Sequence, residues 1–128
     1  MMGPVLGGMA AQLDLLTAAI RGNATSADRV LQSEWGALSA FWHTLQTIAY
    51  EAAGRLDRSG DSPLPLGITF ARLAAEFHTN IAQLSERWKI PVPSHYTYLQ
   101  RDMELLGTLQ KKRLQIRQEK IGAALLKA

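Results

Sequence analysis

Between Ala27 and Asp57 the apolar residues Leu31, Trp35, Leu38, Trp42, Leu45, Ala49, Ala52 and Leu56 recur at alternating intervals of four and three, without a break. Residues so spaced lie along one seam of an α-helix and pack into the holes of neighbouring helices. The pattern predicts a helix over about 26–57. Thr25 and Asp28 stand before it at capping-box spacing, with Asp in place of the usual Glu.

Three other segments read the same way. Met2, Leu6, Met9, Leu13, Leu16 and Ile20 form the seam of a first helix over about 4–21. Pro4 suits its first turn, where a missing N–H costs nothing. Gly3, Gly7 and Gly8 weaken its start. Gly22 and Asn23 end it, both tolerating a left-handed conformation. A third helix over about 64–89 carries Leu66, Phe70, Leu73, Phe77, then Ile81 or Asn80, Leu84 and Trp88. Asn80, on the strict heptad position, would be a polar core residue that sets register. A fourth covers about 94–127, with Ser94 or Thr97 as its N-cap. The breaks between them are polar or proline-rich. Arg58-Ser59-Gly60-Asp61-Ser62-Pro63 is the main loop, and Ile90-Pro91-Val92-Pro93 forces an extended connector.

The expected fold is therefore all-α: an antiparallel bundle of four helices, two long and two shorter, with coiled-coil-like packing and short loops. Residues 1–128 form one domain, and 112–128 are a basic helix end whose last residues, from Lys120, overhang. At about 1.5 Å per residue the second and fourth helices are each roughly 50 Å long and the first about 27 Å. The far half of the second helix should then meet only the third and fourth. The small residues Ala49, Ala52, Ala53, Ala71, Ala74, Ala75 and Gly107 should let those three approach closely.

The fourth helix departs from the single-seam pattern. Leu99, Met103, Leu106, Leu114, Ile121 and Leu125 make one apolar line, while Leu105, Leu109 and Ile116 lie a quarter turn or more away. Lys112, Arg113, Arg117 and Lys120 are interleaved among them. An edge helix of a monomeric bundle needs one apolar stripe, so a second implies another contact surface.

Composition narrows the chemistry. Apolar residues make up 47% of the chain, enough for a core in one domain and too many for a disordered segment. Cysteine is absent, which excludes disulfides, thiol nucleophiles and thiolate metal sites. Gln12 and Asp14 interrupt the N-terminal apolar run, so no membrane span is expected. No basic residue precedes that run, as a secretory signal requires, and a transit peptide would not carry Asp14 with Arg21 as its only base. A soluble, intracellular protein is expected. The charge is uneven: residues 1–100 hold seven basic and eight acidic residues, and 101–128 hold seven and three.

His43 has the one catalytic story. A His on the outer face of a helical bundle resembles a histidine phosphotransfer domain, which uses a His-x-x-Lys-Gly pattern. Here the residues are His43-Thr44-Leu45-Gln46-Thr47, so the supporting Lys and Gly are replaced by Gln46 and Thr47. No metal or other cofactor is expected. His43, His78 and His95 sit in separate segments, and Glu76-Phe77-His78 lacks the spacing of bundle metal sites. The basic run from Lys111 to Lys120 invites a nucleic-acid reading. However, Lys111, Lys112 and Arg113 project around most of the helix, and no aromatics interleave them for base stacking.

The sequence thus points to a non-catalytic protein-interaction or scaffolding subunit rather than an enzyme. Its homo- or hetero-oligomeric partner is expected on Leu105, Leu109, Lys112, Arg113, Ile116, Arg117 and Lys120. A divergent phosphotransfer bundle acting through His43 and a nucleic-acid-associated subunit using the basic fourth helix are the alternatives.

Overall fold

The computed structural model describes residues 2–60 and 64–127, so Asp61, Ser62 and Pro63 of the main loop lie outside the described residues. The chain is an all-α bundle of α1 (Met2–Arg21), α2 (Arg29–Ser59), α3 (Leu64–Arg87) and α4 (Ser94–Leu126), with one 3-10 turn at Ala24–Ala27. α1 packs beside α2 and α4, and α3 beside the same two. α1 and α3 meet across the diagonal, and no α-carbon of α2 comes within 8 Å of one in α4 among the described residues.

The helix ends follow from specific residues. Asp28 is itself the N-cap of α2, its Oδ1 accepting from Val30 N–H at 2.8 Å and Leu31 N–H at 3.3 Å. This corrects the capping-box expectation, in which Thr25 was the cap. Thr25 instead belongs to the 3-10 turn that Asn23 caps. Asn23 is extended rather than left-handed, and so is not the helix-ending residue expected of it. The left-handed cap falls at Gly60, φ 71°, which closes α2 with its N–H on the Leu56 carbonyl. α3 ends in a Schellman motif: left-handed Lys89 donates to Glu86 O, and Ile90 donates to Ser85 O while burying its side chain. The prolines that follow prevent continuation, and α4 starts after Pro93, not on a Ser94 or Thr97 side-chain cap.

Burial splits the predicted seams. In α2, Leu31, Leu38, Leu45 and Ala52 are buried at heptad spacing, while Trp35, Trp42 and Ala49 pack around them half-exposed. Leu56 is left largely exposed. α3 buries Phe70, Ala74, Phe77, Ile81 and Leu84, and Asn80 is exposed. Of the two positions the seam allows, Ile81 is the buried one, so Asn80 is not a register-setting core residue. In α1 the buried line is Val5, Met9, Gln12, Leu16 and Ile20, a rotation that brings one polar side chain inside. α1 is helical from Met2 despite its glycines. A Cβ at Gly8 would overlap the Met103 thioether of α4, so this glycine sets the close approach of the two helices.

By length and composition alone α1 is the one described helix that could cross a bilayer, with a mean hydropathy of 1.2 over its apolar window, a test that the core helix of a bundle also meets. Here its apolar stripe is packed into the bundle. Polar clamps join the helices at the flanks. Glu34 of α2 accepts from Trp88 Nε1–H at 2.8 Å and pairs with Arg87, and Trp42 Nε1–H reaches the Leu6 carbonyl at 3.3 Å. Trp42→Phe should cost about 1 kcal/mol in urea unfolding, the usual worth of one hydrogen bond. A loss as large as that of an emptied core site would place Trp42 in the interior instead.

Candidate interaction surface on the fourth helix

α4 is 33 residues long against 20 for α1, so α4 continues past the level at which α1 begins. There α2, α3 and α4 surround an open corner, closed at one end by Met2, Gly3 and Leu6 of α1. The expectation that small residues would draw these three helices together is not met, because α2 and α4 remain on opposite corners. The result is a trough of about 530 Å³. Its floor is Gly67, Phe70 and Ala71 of α3. One wall is Ala49, Ala52, Ala53 and Leu56 of α2, and the other is Gln110, Arg113 and Arg117 of α4. Among the described residues neither guanidinium has an acidic partner within 4.0 Å.

A second groove, of about 650 Å³, runs along the outside of α3 and α4. Ala71, Ala75 and Gly107 make it shallow-walled, with His78 and Glu104 at its edge. Burial pushes the His78 imidazole below 6.5, and the Glu104 carboxylate partly opposes that shift. The two do not extend into a larger cluster: no group of three or more metal-binding side chains occurs among the described residues.

The predicted contact residues separate into two sets. Leu105, Leu109, Lys112 and Ile116 face outward, and Arg113 and Arg117 line the trough. Lys120 is exposed at the edge of the outer face. Leu105 is 63% exposed, Leu109 46% and Ile116 64%. Of the nine large apolar or tyrosyl side chains left exposed among the described residues, six are on α4. The outer line is longer than the sequence reading made it. Tyr98, seven residues before Leu105, is 64% exposed on the same face. The heptad step back from Leu105 was the signal that could have found it. Met103 and Tyr96 are buried on the opposite side of the helix, against the core.

His43 is exposed on α2, beside the Trp42 ring at 5.0 Å, with Gln46 and Thr47 on the following turn. His95 is exposed at the start of α4. The three histidines stand on three different helices and do not converge.

Compared with known proteins, the chain matches no protein family, no curated protein and no solved structure.

Proposed function

We propose that this protein is a non-catalytic helical subunit that binds another protein chain through the outer face of α4. The observation that carries this reading is the exposure of Leu105, Leu109 and Ile116 along one line of a helix already packed on two other sides by α1 and α3. Leaving such side chains in water costs about 25 cal/mol per Å² of apolar surface. Contiguous apolar surface framed by charge is the usual form of a contact site. Lys112 and Lys120 supply that frame here, and Arg113 and Arg117 extend it into the trough.

The charges favour a protein over a nucleic acid as partner. A phosphate backbone needs a continuous basic track, whereas the lysines of this face alternate with leucine and isoleucine and are interrupted by Glu119.

Native mass measurement on Ile116→Asp tests the proposal. The wild-type protein should run in an assembly, and the variant should run as a free chain with unchanged helicity and melting, because Ile116 is outside the core. Reversing Lys112 and Arg113 to Glu should chiefly change the association rate and its salt dependence. If charge reversal abolished binding while Ile116→Asp had no effect, the nucleic-acid reading would replace this one.

A further inference from the structure

The outer face of α4 is complementary to itself when a second helix runs antiparallel to it. At 3.6 residues per turn, Tyr98, Leu105, Leu109, Ile116 and Ala123 fall in a strip about 40° wide. All five are exposed. Asp102 and Lys120 project together on one side of that strip, and Arg101 and Glu119 together on the other. A two-fold axis at the level between Gln110 and Lys111 sets Leu105 opposite the partner's Ile116 and Tyr98 opposite the partner's Ala123. It also lays Leu109 against the aliphatic stem of the partner's Lys112.

The flanks agree in the same register. Asp102 meets the partner's Lys120 on one side, and Arg101 meets the partner's Glu119 on the other. Each contact occurs twice, as an isologous interface requires. None of these four charged groups has an ion-pair partner among the described residues of its own chain. A parallel pair would also satisfy the flanks, Asp102 meeting the partner's Arg101 and Lys120 the partner's Glu119, but it would set Lys112 against its own copy in the middle of the strip, where the antiparallel pair sets it against Leu109. From this match of apolar and charged positions we propose that the partner of α4 is a second copy of this chain, paired antiparallel about that axis.

This rests on the reading of α4 as a protein-binding face and names its occupant. Helix α4 is continuous from Ser94 to Leu126, so the whole strip can engage without rearrangement. The central Lys112 is the imperfect position, since its ammonium must snorkel to the rim. Lys112→Leu should therefore tighten the dimer.

The absence of cysteine makes the geometry testable by disulfide trapping in the full chain. Leu109→Cys lies close to the axis and should cross-link to itself under mild oxidation. Tyr98→Cys alone should not, but a mixture of Tyr98→Cys and Ala123→Cys chains should. Sedimentation equilibrium supplies the second arm. Asp102→Lys and Lys120→Asp should each weaken the dimer about tenfold, since two attractive pairs become repulsive in each, and the double variant should regain wild-type affinity. That rescue requires the two residues to meet between copies, because against an unrelated partner the two changes would not cancel.

Self-cross-linking of Tyr98→Cys would indicate a parallel pair and overturn the proposal, as would additive weakening in the double variant. A wild-type chain that stays monomeric up to its solubility limit, yet loses a different protein on Ile116→Asp, would also overturn self-pairing while leaving α4 a binding face. If Ile116→Asp altered no interaction at all, both readings would fall.

Discussion

Replacing Phe77 by alanine should destabilise the bundle by about 3–5 kcal/mol, the range found when a large aromatic core site is emptied. Phe77 has no exposed surface. Its ring lies 6.3 Å from that of Phe41 on α2, and its neighbours along α3, Ala74 and Ile81, are buried too. Such a site has little freedom to collapse, since the rigid helices on either side hold its walls apart. Phe77→Leu, which keeps most of the volume, should cost well under half as much. Urea unfolding followed by circular dichroism measures both. A Phe77→Ala loss below about 1 kcal/mol would mean that the α2–α3 contact is not the centre of the core. The substitution is far from the outer face of α4, so association per folded chain should not change.

Helix number, order and approximate ends were legible because the apolar period is regular and the breaks are marked by Gly60 and the Pro91 and Pro93 pair. What the period could not give was rotation. A heptad seam names two alternating lines, and only packing decides which is central. In α2 the leucine line became the core and the tryptophans its border. In α3 the choice between Asn80 and Ile81 went to Ile81, since burying Asn80 without a partner would leave its amide unsatisfied. In α1 the same ambiguity hid Gln12, whose burial depends on what faces it from α4. The surplus apolar line of α4 could be read directly, because no rotation of one helix buries residues on opposite sides. The trough could not, as it depends on which helices share an edge. The sequence reading set α2 against α4, whereas α1 and α3 separate them.

Alkaline pH should expose the polar pocket that this rotation created. Tyr96 of α4 is buried, and burial pushes its phenol from 10.0 up to about 12, with the nearby Gln12 and Ser85 side chains partly offsetting the shift. Neither the Tyr96 hydroxyl nor Gln12 Oε1 reaches full hydrogen-bond geometry with any partner. Because the raised pKa belongs to the folded state, the folded chain holds this proton after the unfolded chain has begun to lose it. The neutral phenol's contribution to stability is thus fully present below pH 10 and is lost as pH rises toward 12. The loss amounts to roughly 2–3 kcal/mol at the upper end. Tyr96→Phe removes the titrating group together with a hydroxyl that lacks a good partner, so it should cost little at neutral pH. The variant should also lose less stability than the wild type between pH 10 and 12, and the two stability curves should converge or cross there. Urea midpoints measured at intervals across that range, with phenolate absorbance followed in parallel, make the comparison. Curves that stay parallel to pH 12 would show that Tyr96 ionises as readily in the bundle as in the unfolded chain, and that the contact between α1 and α4 around Gln12 is open to water.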